Sequence, residues 1–177
     1  TAADPRLEAA LTMFQTAKSN ADYTRALELF KKLHKDHPKD ADISFYLGRS
    51  LYLERDLEAA DEVLSDNIER HPNHAESHYV IGSVKLARVA EVNIFRKSGM
   101  AKQAISAWEK TVELEPSHEE ALFGVAEFYL NAPSIAGGDK EKGQQILGEL
   151  EVLSEPWASI TKASLALKKE SYAEAER

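Results

Sequence analysis

The chain is predicted to be all-α, a solenoid of antiparallel helix pairs packed side by side. Three observations carry this. Small and turn-forming residues recur at a fixed offset: Ala26 and Ala60 lie 34 residues apart, and so do Pro38 and Pro72. A period of that length is one helix–turn–helix unit repeated. Within a period the apolar residues keep helical spacing, as in Ala26, Leu29, Phe30 and Leu33. No alternating run reads as a strand.

The clearest unit runs from Leu47 to Pro72, LGRSLYLERDLEAADEVLSDNIERHP. Gly48 and Ala60 are small so that two helices can touch, Asp56 caps the second helix and Pro72 stops it, with Leu47, Leu51, Leu57 and Leu64 between them. This pattern resembles a tetratricopeptide repeat, and the likeness extends over nearly the whole chain. It implies one domain over residues 1–177, a right-handed α-solenoid of four such units plus a C-terminal end helix. It also implies a concave groove that holds a protein or peptide partner, and no enzymatic activity.

Taken in order, repeat one covers 7–40. Asp4-Pro5 is a helix start, with Pro5 at a position that needs no N–H, and the helix should run towards Lys18. Asn20-Ala21-Asp22 is expected to break it before a second helix from Tyr23 to His34. Phe14 stands where the family has a small residue facing Ala26, so the first pair should splay or the ring should tilt aside. Repeat two is 41–74. Repeat three, 75–118, begins with Ala75, Ile81 and Gly82, but Ala104 follows Ala60 by 44 residues and Pro116 follows Pro72 by 44. Ten extra residues therefore lie near 89–98. Because AEVNIFRK holds no Gly or Pro, the expectation is an extension of the first helix by about 15 Å.

Repeat four, 119–156, carries Leu122, Val125, Ala126 and Tyr129. It continues through a lengthened loop over 132–138, a cap at Asp139 and a close contact at Gly143. Residues 157–177 form an incomplete fifth repeat: an end helix over 157–169, then Ser171-Tyr172-Ala173-Glu174 as a capping box opening another. The uncovered face of that end should fray first or be covered, which leaves oligomerisation through it open. A second likeness covers six residues, Pro133 to Gly138. With the enlarged third repeat, this Pro-x-x-x-Gly-Gly loop is similar to that of bacterial export-associated tetratricopeptide proteins.

Composition narrows the function. Acidic residues outnumber basic ones 30 to 22, for a formal charge of -8, so no nucleic-acid partner is expected. No apolar run approaches the length of a transmembrane helix, and the absence of cysteine removes thiol chemistry and Cys-based zinc sites. The chain begins at Thr1 rather than Met, which fits a processed, periplasmic or exported protein or one with its leader trimmed. His71, His74 and His78 include an i, i+4 pair, yet lack a convergent third ligand, so no metal is expected. Gly137-Gly138-Asp139-Lys140 lacks the strand and spacing of a phosphate-binding loop. No cofactor is expected.

By the family rule, the fifth, ninth and twelfth positions of each first helix look into the groove. The resemblance thus implies fifth-position Leu11, Phe45, Tyr79, Phe123 and Ile160, and ninth-position Gln15, Arg49, Ser83, Glu127 and Ser164. At the twelfth position it implies Lys18, Tyr52, Leu86, Leu130 and Leu167. The Lys and Asn with which chaperone-tail-binding members hold a carboxylate are absent at the fifth and ninth positions, which points to an apolar or aromatic segment as ligand. The expected binding set is Phe45, Arg49, Tyr52, Tyr79, Ser83, Leu86, Phe123, Glu127 and Leu130. The opposing reading is that these aromatics pack on one another as core. A different function class, a carrier of a small apolar ligand, would need the third and fourth repeats to close over the groove. The two enlarged turns should emerge on one edge, with Val92, Phe95 and Ile135 covering each other in a raised lobe.

Overall fold

The structure, a computed structural model, describes residues 5–175, without the side chains of Ile94 and residues 169–175. Among the described residues there are α-helices and no strand. They are α1 (Pro5–Gln15), α2 (Asn20–Asp36), α3 (Ala41–Leu53), α4 (Leu57–Arg70), α5 (Ala75–Arg88), α6 (Ile94–Leu114), α7 (Glu119–Asn131), a 3-10 turn (Ser134–Ala136), α8 (Lys140–Leu153) and α9 (Glu155–Ala175). Each helix packs on the next along the chain, giving an all-α helical repeat solenoid.

Caps set the helix boundaries. Asp40, Asp56 and Asp139 each accept from backbone N–H groups in the first turn of α3, α4 and α8, and each satisfies donors that the helix leaves unpaired. The first break falls earlier than expected. Helix α1 ends at Gln15, Ser19 accepts from the Asp22 amide, and Asp22 in turn accepts from the Ser19 hydroxyl. That reciprocal pair makes Asn20-Ala21-Asp22 the first turn of α2 rather than a breaker. The cap expected at Asp4 lies outside the described residues. Phe14 tilts: its ring stands edge-on to Tyr23, Phe30 and Tyr46 at 5.6, 6.1 and 5.7 Å, filling the wedge between the first two pairs.

The ten extra residues of repeat three do not lengthen its first helix. Helix α5 stops at Arg88, and α6 starts at Ile94 because the Asn93 side chain accepts from the Arg96 amide at 3.2 Å. The insertion becomes a turn plus an early start to α6. The capping box at Ser171 does not form either, since α9 runs unbroken to Ala175. Leu-Ala-Leu-Lys-Lys-Glu before it are strong helix formers, and a cap requires the chain to leave the helix first.

The core is assembled by close approach. A Cβ at Gly48 would lie 2.4 Å from Leu64, and one at Gly143 would lie 2.6 Å from Leu130, so both glycines let the paired helices meet. Trp108 of α6 is wedged between Gly82 of α5 and Gly124 of α7, where added Cβ atoms would lie 2.5 and 2.7 Å from its ring. Two buried polar side chains pin the other end. Asn67 donates to the Ala41 carbonyl at 3.0 Å and to the Ser77 hydroxyl at 2.8 Å; Thr111 donates to the Ala75 carbonyl at 3.3 Å. Ala41 and Ala75 are the first residues of α3 and α5, so both second helices grip the start of their partner.

The loop after α7 is ordered by its own bonds. Gly138 N–H donates to the Pro133 carbonyl, and Asp139 N–H donates to the Tyr129 carbonyl, both at 3.0 Å. Gly137 takes φ 102°, and a Cβ at Gly138 would fall 1.9 Å from the Ala132 oxygen. Only glycine fits that close backbone approach.

Candidate functional site

The first helices α3, α5 and α7 carry the predicted groove residues, and the structure sorts them into three groups. Leu130 is 6% exposed and packs on Gly143 within its own pair, so it belongs to the core rather than the groove. Phe45 is likewise 4% exposed, set against Tyr46 and the His74 ring. The second group, Tyr52, Tyr79, Ser83, Phe123 and Glu127, is half-buried. Arg49 is exposed, and Leu86 is 44% exposed.

The aromatic ladder is therefore partly closed by a device that sequence reasoning missed. Each fifth-position ring lies against a residue at the N-cap or in the first turn of the next first helix: Phe45 against His74 at 5.3 Å, Tyr79 against His118 at 4.6 Å, Phe123 against Trp157 at 4.7 Å. His74 and His118 are also the N-caps of α5 and α7, with Nδ1 accepting from Ser77 and Ala121 amides, each at 3.2 Å. An imidazole whose Nδ1 accepts carries its proton on Nε2, which leaves the ring face free to stack. The signal was present as histidine two residues after each stop proline, Pro72 and Pro116. His71 and His78 donate to the Lys39 and Pro72 carbonyls, each at 2.9 Å. Among the described residues no cluster of His, Asp or Glu could hold a metal ion.

Electrostatics distinguish two groove positions. Burial and the nearby Glu120 carboxylate push the Tyr79 hydroxyl up, so it meets any contact as a neutral phenol. Burial also pushes the Glu127 carboxyl above its ordinary value, opposed by the Ser164 hydroxyl and Lys168. Its Oε2 accepts from Asn131 and Ser164 at 3.1 Å each, while Oε1 is buried with no partner. A carboxyl whose pKa is raised by folding stabilises the fold below its unfolded pKa and loses that contribution as pH rises through the folded value. Glu127→Gln should therefore raise stability at neutral pH, by about 0.5 kcal/mol after allowing for solvent screening. The difference from the parent should vanish near pH 4, which paired thermal melts at the two pH values check.

The raised lobe does not form. Phe95 is 92% exposed and Ile135 is 95% exposed, so neither covers the other, and only Val92 is half-buried. The loop after α7 needs no outside support, and Asn93 turns the chain into α6 with Phe95 pointing away from the body. A partly open cleft of about 670 Å³ lies between the end of α7, its loop, α8 and α9. Leu130, Pro133 and Leu165 are among its walls, whereas the groove aromatics are not.

Residues 5–83 match the family model described as tetratricopeptide repeat. No curated protein matches the chain in sequence. Among solved structures, the fold is similar to TTC0263, a thermophilic TPR protein of Thermus thermophilus. That match has a TM-score of 0.72 and 19% identity over 93% of this chain and 81% of that one. It is similar also to MamA, with a TM-score of 0.58 and 21% identity over 89% of this chain and 78% of that one. YrrB, described as a TPR protein with an unusual peptide-binding site, matches with a TM-score of 0.59 and 20% identity, over 80% of this chain and 66% of that one. Members of this family are in general protein-interaction scaffolds rather than enzymes. The tetratricopeptide repeat match thus covers the first two and a half helix pairs, residues 5–83, and the same helical-repeat fold continues to α9.

Proposed function

We propose that the chain is a non-enzymatic interaction module that holds an extended, apolar or aromatic segment of a partner protein along α3, α5 and α7. The supporting observation is register. Tyr52 and Leu86 occupy equivalent positions on successive first helices, as do Tyr79 and Phe123, and all four keep apolar surface open to solvent. Arg49, one turn before Tyr52, and Ser83, one turn from both Tyr79 and Leu86, supply polar contacts that would fix the segment's direction. Contiguous apolar surface of this kind marks interaction sites. The finer likeness to export-associated members rests on the inserted third repeat and the Pro133 to Gly138 loop.

Panning the 177-residue chain against a displayed peptide library tests this. Peptides with spaced apolar or aromatic residues should be enriched. Tyr79→Ala and Leu86→Asp should each weaken the best peptide about 30-fold or more, as expected for an anchor worth about 2 kcal/mol. Binding unchanged in Leu86→Asp, with Tyr79→Ala losing only thermal stability, would show these to be packing residues. The carrier alternative draws on the cleft beside Leu130. It predicts that a medium-chain fatty acid binds and that Leu165→Asp abolishes it.

A further inference from the structure

We propose that the tip formed by the α5–α6 junction docks on an anionic phospholipid surface, with Phe95 inserting and Arg96, Lys97 and Lys102 meeting the headgroups. The inference is independent of the groove. Phe95 is 92% exposed on a helix that begins at a side-chain cap, so a large apolar ring is held out in water by a rigid element. Phe95, Gly99 and Lys102 fall at i, i+4 and i+7, on one face of α6, and all three are exposed. Nothing on the body lies within 4 Å of where a Gly99 side chain would stand, so that face is clear of the solenoid.

Charge singles out the same place. From Val92 to Trp108 the sequence holds Arg96, Lys97 and Lys102 and no Asp or Glu, a charge of +3, leaving -11 on the rest of a chain of -8. Among the described residues none of the three makes a salt bridge, whereas Lys85 and Arg88 behind them are both bound to Asp61. The flanking carboxylates are Glu91 and Glu109, and Glu109 is paired with Lys142 at 2.5 Å. Such a distribution turns the tip towards an anionic surface and the body away from it.

A second apolar tip lies on the same edge. Helices α5 and α6 run antiparallel, with Thr111 at Ala75 and Trp108 at Gly82, and α7 and α8 do so with Leu130 at Gly143. The two junctions therefore share an edge, and the second presents Ile135, 95% exposed, beside the exposed Lys140. Isolated apolar tips with cations around them need no shape-complementary partner, which is what a lipid interface offers and a folded protein groove does not. No described helix is long and apolar enough to cross a membrane, so the contact is one of surface attachment.

The experiment is co-flotation of the 177-residue chain with vesicles of phosphatidylcholine alone and of phosphatidylcholine with one third phosphatidylserine, at low and high salt. Binding should require phosphatidylserine and fall with salt. Phe95→Ala should weaken it about tenfold, Ile135→Ala about threefold, and joint replacement of Arg96, Lys97 and Lys102 by Ala should abolish it. Every one of these side chains is exposed or half-buried, so melting temperatures should stay at the parent value, and Leu86→Asp in the groove should bind vesicles normally. The proposal is overturned by no flotation with phosphatidylserine, by equal flotation with phosphatidylcholine alone, or by a Phe95→Ala chain that floats like the parent. Failure to float combined with salt-sensitive binding of a poly-glutamate peptide through the same cations would overturn it in favour of an acidic protein segment.

Discussion

Trp108→Ala should be among the most destabilising single substitutions in the chain, costing about 3–5 kcal/mol, the range for emptying a buried aromatic site. The indole is 8% exposed, fills the space between α5 and α7, and donates from Nε1 to the Tyr79 carbonyl at 3.1 Å. Its removal opens a cavity at the boundary between the third and fourth pairs and leaves that carbonyl with the Ser83 hydroxyl as its remaining side-chain donor. For a chain of this size the melting temperature should fall by about 10 °C or more. The two glycines give a sharper test than the truncation alone. Gly124→Ala in the parent drives a methyl into the ring, at 2.7 Å from Cε3, and should itself destabilise. In the Trp108→Ala background the same methyl enters the vacated space, so the two effects should be non-additive by about 1–3 kcal/mol. Additive losses would show that Gly124 is required for some reason other than the indole.

Asn67→Leu should destabilise by about 2–3 kcal/mol although it places an apolar side chain of similar size in a buried position. Asn67 is 2% exposed, and its amide bridges the Ala41 carbonyl and the Ser77 hydroxyl. Leucine would leave both acceptors in the core without this donor, and an unpaired buried polar group costs more than the hydrogen bond contributed. The damage should spread across three helices, because the bridge joins α4 to the starts of α3 and α5. Hydrogen exchange should therefore rise in the first turns of α3 and α5 as well as in α4. Thr111→Val, which removes a single hydroxyl proton shared between the Ala75 carbonyl of the next pair and the Ala107 carbonyl, should cost less, about 1 kcal/mol. Equal losses for the two would show that packing volume, and not the polar bridge, sets the cost.

What was legible in the sequence was local. Helical apolar spacing, the caps at Asp56 and Asp139, the small residues Gly48, Gly82 and Gly143 and the stop prolines each act within one helix or one helix pair. One repeat was therefore enough to read the architecture of the rest. The insertion shows where local reading ends. Its residues suit a helix on either side of the turn, and a single Asn93 cap assigned them to α6 instead of α5. At Ser171 the reverse held, where a capping pattern was outweighed by helix formers already propagating from α9.

The sequence by itself determined an all-α repeat, the pairing of its helices and the edge on which its enlarged turns emerge, because these follow from period and short-range sterics. Tertiary structure alone decided which groove positions stay open. A positional rule says which way a side chain leaves its helix, not how closely the next pair approaches. That approach buried Phe45 under His74, turned Leu130 into the core and left Leu86 open. It also decided that Phe95 and Ile135 stand apart in water, since the loop expected to cover them closes on its own hydrogen bonds through Gly137 and Gly138.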